Sequence, residues 1–179
     1  MELKGERLLP ADRDTAWAAL TDVEVLKVCI PGCESITATE ANTYEIALTA
    51  AIGPVKSRFK GRLAMTEIDA PNGYTLAFDG SGGAAGFARG TARVSLAQTA
   101  PRETRLTYVA EAQVGGKLAQ VGSRLIDAAA GAMSEKFFEA FGAQVAARAG
   151  APGQGAAAPA AAPSFWSLLL AVLRKLFGR

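Results

Sequence analysis

The sequence predicts an α+β domain in which a meander of antiparallel strands is followed by one long helix. Three observations carry this. Several consecutive segments between Thr43 and Val114 alternate apolar and polar side chains, as half-buried antiparallel strands do. Short turn sequences, not helical patterns, separate them, which excludes a βαβ alternation. From Lys117 the apolar spacing switches to three and four residues, the period of an amphipathic helix.

The elements follow in order. Leu3 to Leu9 is a strand. "PADRDTAWAAL" starts a helix, with Asp12 or Asp14 as cap and Trp17 and Leu20 on its buried face. "DVEVLKVCI" is a second short helix, ended by Pro31-Gly32. In "TYEIALTAAI", Tyr44, Ile46, Leu48 and Ile52 share one face. In "VKSRFKGRLAM", Val55, Phe59, Leu63 and Met65 point one way, and Lys56, Arg58, Lys60 and Arg62 the other. "GYTLAFDG" repeats the pattern with Tyr74, Leu76 and Phe78, and "ARVSLAQ" and "TRLTYVAEAQV" add two strands. "APNG" and "TAPRE" supply turn chemistry. The helix from Lys117 to about Arg148 carries Leu118, Val121, Leu125, Ala129, Met133, Phe137, Phe141 and Val145 on one stripe. At about thirty residues it is roughly 45 Å long. Its middle is small (Ala128, Ala129, Gly131, Ala132). Either the helix approaches the sheet closely there, or room is left for a ligand.

Composition narrows the chemistry. The chain has 179 residues and no histidine. That removes the usual general base near neutral pH and the commonest metal ligand. Cys29 and Cys33, in "CIPGC", cannot complete a tetrahedral zinc site alone. They fit reduced thiols packed as small apolar groups. No catalytic or metal-ligating set stands out. Through Arg148 the chain has sixteen basic and seventeen acidic side chains, and the excess positive charge lies beyond. No basic face for nucleic acid is present.

"FDGSGGAAGFARG", Phe78 to Gly90, could suggest a phosphate loop. Such a loop needs a helix after it, so that helix N–H groups face the anion. A strand pattern follows instead, with no "GKS" or "GKT". A mobile hairpin tip fits better, with Phe87 as a lid or docking finger, or simply a solvated tip.

Residues 149–163, "AGAPGQGAAAPAAAP", read as a flexible linker without charge or large side chains. Residues 164–179 form a separate unit. On a helical wheel Phe165, Trp166, Leu169, Leu170, Val172, Leu173, Leu176 and Phe177 share an arc of about 160°, and Arg174, Lys175 and Arg179 fall opposite. Sixteen residues are fewer than the ~20 a membrane span needs. A basic amphipathic helix with Trp and Phe suits a membrane interface, and its cations match anionic headgroups. A helix that docks on the domain or on a partner is the alternative.

"VLKVCIPGCES", "GPVKSRFKGRL", "GSGGAAGFARG" and "AEAQVGGKLAQVGSRLID" together resemble the carbon monoxide dehydrogenase G-subunit family, of the START-like (polyketide cyclase/lipid transport) superfamily. The resemblance covers Met1 to about Arg148. It implies a START-like helix-grip fold, with a curved antiparallel sheet wrapped around a long C-terminal helix and an apolar cavity between them. It also implies an association with a carbon monoxide dehydrogenase or related molybdenum hydroxylase at the cytoplasmic face of the membrane and, for some members, binding of menaquinone. It supplies no catalytic residue.

A non-enzymatic carrier of a quinone or lipid is therefore expected, with no covalently bound cofactor. The alternatives are an assembly or anchoring factor with an empty cavity, and a cyclase or hydrolase. The expected ligand-binding residues are Phe59, Leu63, Met65, Phe78, Tyr108, Val121, Leu125, Ala129 and Met133, with Ile30 and Phe87 at the mouth. The expected membrane contacts are Phe165, Trp166, Leu169, Leu170, Leu173, Arg174, Lys175, Leu176 and Phe177.

Deleting residues 149–179 should release the protein from anionic liposomes in a co-sedimentation assay without unfolding it. Replacing both Leu169 and Leu173 by Glu should do nearly the same. A truncated domain that co-sediments as well as the full chain shows that the tail is not the anchor.

Overall fold

The structure is a computed structural model that describes residues 1–150. The tail and all but two residues of the linker lie outside the described residues.

Seven antiparallel strands form one curved sheet in the order β1-β7-β6-β5-β4-β3-β2. They are β1 (Glu2–Leu9), β2 (Cys33–Glu40), β3 (Thr43–Ile52), β4 (Val55–Asp69), β5 (Gly73–Ser81), β6 (Phe87–Ala100) and β7 (Glu103–Gly115). From β2 to β7 each strand pairs with the next, as an antiparallel meander requires, and β1 closes onto β7. Two short helices, α1 (Arg13–Leu20) and α2 (Val23–Cys29), follow β1; α3 (Lys117–Gln120) and the long α4 (Ser123–Gly150) follow β7.

The expected α1 cap and the strand alternation are present. The Asp12 carboxylate accepts from the Thr15 amide at 2.9 Å and begins α1. Asp22 does the same for α2 through Glu24. Along β4, Phe59, Gly61, Leu63 and Met65 face the concave side, while Lys56, Arg58, Lys60 and Arg62 are exposed on the convex side. Arg58 is paired there with Glu34 at 2.6 Å and Arg62 with Glu40 at 3.4 Å.

Two elements differ from the sequence expectation. The strand β2 was not anticipated. It is a sheet-edge strand with only Ile36 fully buried, so its sequence carries little alternation. The C-terminal helix is also broken. Gly122 has φ 95°, a conformation that L side chains avoid. It separates the single turn of α3 from α4.

The core lies at one end of the sheet. There Phe141 and Val145 of α4, both fully buried, meet Leu9, Leu20, Val25, Leu96 and Leu106. Phe137 stacks on Phe141 with ring centroids 5.6 Å apart. Arg148 pairs with Asp22 and ties the end of α4 to α2. Burial pushes the Asp22 carboxyl up, but the Arg148 guanidinium and the α2 amide groups that bond to it outweigh this and hold it below the usual carboxylate value. Toward its N-terminal half, α4 presents Ile126, Met133 and small residues to the sheet.

Phe141→Ala removes the largest fully buried side chain. It should cost about 3–5 kcal/mol in urea unfolding followed by circular dichroism. A loss below about 1 kcal/mol shows that this end of the helix is not the anchor.

Candidate functional site

Between the sheet and α4 lie two apolar chambers, each of about 260 Å³. They share Leu63 as a common wall. The hairpin-end chamber is built from inward residues of β3 (Ile46, Leu48, Ala50, Ile52) and β4 (Phe59, Leu63), with Phe78 of β5, Ala88 of β6, Leu118 of α3 and Met133 of α4. Lys60, Arg62 and Asp79 also border it. All three are exposed, and strand alternation aims their side chains at the convex side. The helix-end chamber is walled by Val23 and Leu26 of α2 and Ile30 just after it, by strand residues including Tyr44, Met65, Tyr74 and Tyr108, and by Ser134, Phe137 and Phe138 of α4. No charged residue among the described ones lines it.

A wider depression of about 670 Å³ lies on the convex face. Glu2, Asp79, Arg89 and Glu111 border it and all are exposed. It is a solvated concavity in the outer surface, unlike the chambers under the helix.

Seven of the eleven expected ligand-binding residues line the chambers. Phe59, Phe78 and Met133 face the hairpin-end chamber, Ile30, Met65 and Tyr108 the helix-end chamber, and Leu63 both. The other four do not. Phe87 is on the convex face, in phase with Arg89 and Arg93 rather than with Ala88 and Val94. Its ring lies over Gly115, and the Arg89 guanidinium sits 5.2 Å from its centroid. It is neither a lid nor at a mouth. Val121 lies in the break between α3 and α4. Leu125 is 40% exposed and leans on Gly53 in the β3–β4 turn. Ala129 is half-buried and lines neither chamber. Because α4 restarts at Ser123, the buried stripe there runs through Ile126 instead of Leu125.

Tyr44 and Tyr74 line the helix-end chamber without having been expected as ligand contacts. The signal was present, since both stand on the inward phase of their strands beside Ile46 and Leu76.

The glycine-rich segment is a closed hairpin tip. The Gly82 amide donates to the Gly86 carbonyl at 2.8 Å, and Ala85 is buried in the short 3-10 turn between them. Glycine serves close packing within the strands as well. A Cβ on Gly90 would collide with the Glu111 carbonyl, and Gly90 pairs with Ala112 across β6 and β7. Glycine within a strand allows the bend of a wrapped sheet.

Cys29 is buried at the end of α2, and Cys33 is half-buried at the start of β2. Burial pushes both thiols above their ordinary value.

The sequence matches the CoxG family, the G-subunits of carbon monoxide dehydrogenase, over residues 5–146. The chain belongs to this family. No curated protein matches it significantly. A conserved protein from Geobacillus kaustophilus has the same fold at 29% identity and a TM-score of 0.78, covering 82% of this chain and 96% of its own. A START superfamily protein from Mycobacterium smegmatis aligns at 14% identity and a TM-score of 0.62, covering 82% and 97%. The Zhui aromatase/cyclase of a Streptomyces species aligns at 12% identity and a TM-score of 0.65, covering 86% and 98%. The fold of this CoxG-family domain is therefore START-like. No helix among its described residues is long and apolar enough to cross a membrane.

The raised thiols should leave Cys29 and Cys33 slow toward DTNB at pH 7 in the folded protein, with full reaction only in denaturant. Thiols that react as fast as free cysteine while the protein stays folded would contradict the burial described.

Proposed function

We propose that this CoxG-family protein is a non-enzymatic carrier. It holds an apolar ligand, an isoprenoid quinone such as menaquinone, between sheet and α4. The tail places the domain at the cytoplasmic face of the membrane, beside a carbon monoxide dehydrogenase or related molybdenum hydroxylase. A carried quinone would take two electrons and two protons to become the quinol, and so couple carbon monoxide oxidation to the respiratory chain.

One observation carries this reading: two adjoining apolar chambers share Leu63 beneath a single helix. Each alone is small, but together they fall within the ~300–1,000 Å³ of ordinary ligand sites. An apolar chamber has no use for a water-soluble substrate, whose polar groups would lose their hydration. The lack of histidine in the sequence, and of any charged residue around the helix-end chamber among the described residues, argues against a cyclase or hydrolase. The family name supports the dehydrogenase as partner.

Full-length protein purified from its native host should release about one quinone per chain on solvent extraction, read by mass spectrometry. Leu63→Trp fills the shared wall and should lower the retained quinone at least tenfold, with the fold checked by circular dichroism. Wild-type protein that yields neither quinone nor other lipid overturns the carrier reading and favours an assembly or anchoring role.

A further inference from the structure

A uniformly apolar site would hold a ligand without orienting it. The helix-end chamber is not uniform, because the phenols of Tyr44, Tyr74 and Tyr108 line it. Tyr108 is already engaged. Its hydroxyl is 3.0 Å from the Ser134 hydroxyl, and its ring stacks on Phe138 at 5.1 Å. Tyr74 is different. It is only 7% exposed, and its ring is held edge-on to Trp17 at 5.8 Å. Among the described residues its hydroxyl has no hydrogen-bond partner. Tyr44, on β3, is half-buried on the same wall, near enough that its charge would oppose ionisation of Tyr74.

A phenol that reaches an apolar chamber gains a hydrogen bond there only from a guest that brings an acceptor. Tyr74 is buried on this wall and Tyr44 is half-buried on it. Burial holds the Tyr74 phenol neutral, well above its ordinary pKa, so it has a proton to donate. Among the described residues the chamber has no cation. A carboxylate or phosphate there would be desolvated without a counter-charge. That selects a neutral acceptor, a carbonyl. The hairpin-end chamber, across Leu63, is lined by no hydroxyl side chain among the described residues, and suits hydrocarbon.

The geometry points to a head-and-tail site, in which Tyr44 and Tyr74 donate hydrogen bonds to a neutral ligand carbonyl and the ligand's hydrocarbon passes Leu63 into the hairpin-end chamber. This rests on the carrier reading and adds the class and orientation of the ligand's polar group.

The test is calorimetry on the full-length protein with 2,3-dimethyl-1,4-naphthoquinone and with 2,3-dimethylnaphthalene, which has the same ring system without carbonyls. Wild type should prefer the quinone. Tyr44→Phe and Tyr74→Phe, which keep the rings in place, should each weaken quinone binding roughly three- to tenfold and leave the hydrocarbon unaffected. Tyr108→Phe should keep the preference. Ala88→Phe, which fills only the hairpin-end chamber, should remove the affinity that an isoprenoid chain adds and spare the tailless quinone. A quinone preference that survives Tyr44→Phe/Tyr74→Phe, or that is lost only with Tyr108, overturns the assignment while the carrier reading stands. Failure of wild type to bind either ring overturns both.

Discussion

One constraint governs this molecule: a seven-stranded sheet must bury its concave face, and a single long helix covers it. The helix is fixed at its C-terminal half. Phe141 and Val145 are fully buried against α1, α2 and the inner face of the sheet, and Arg148 is paired with Asp22. Once that end is anchored, the curvature of the sheet sets how far the rest of the helix stands off. Toward the N-terminal half the helix supplies Ile126, Met133 and small residues. They do not fill the space, and two chambers remain.

Protein interiors are ordinarily packed as densely as organic crystals. An unfilled chamber forgoes dispersion contacts along its whole lining. Here the unfilled volume lies under the helix and reaches the edge of the packed core, whose Leu20, Tyr74 and Leu106 also wall the helix-end chamber. This arrangement allows the domain to fold around its core and still accept a guest. The convex face follows a separate logic. Its basic residues on β4 meet Glu34 and Glu40, and exposed pairs of this kind contribute little stability. Their consequence is a charged outer surface on the convex side of the sheet.

The START-like fold does not by itself decide what the chambers do. It is shared by a START superfamily protein and an aromatase/cyclase, and function resides in the site a fold carries. In this chain the site's chemistry is defined by a few polar atoms against an apolar wall. Tyr108 pairs with Ser134, whereas the buried Tyr74 has no hydrogen-bond partner among the described residues. Such a wall can orient a neutral ligand.

Much of this was legible in the sequence. Strict alternation over "VKSRFKGRLAM" determined which side of β4 is apolar, because successive strand side chains must point to opposite faces. The same rule placed Phe59, Leu63, Met65, Phe78 and Tyr108 inward, and would have placed Tyr44 and Tyr74 there had they been weighed as ligand contacts. Phe87 was misjudged because a glycine-rich run has no alternation to set its phase. Only pairing with Gly115 puts it on the convex face. β2 carries too few buried residues to announce itself. On the helix, period counting from Lys117 assumed continuity, and the positive φ of Gly122 breaks it. The stripe consequently passes through Ile126, not Leu125, while Met133, Phe137, Phe141 and Val145 keep their places. Sequence thus determined the elements and the sidedness of regular strands, since those depend on neighbours along the chain. Tertiary structure alone decided where space is left, because a cavity is set by how far a helix anchored at one end can follow a curved sheet.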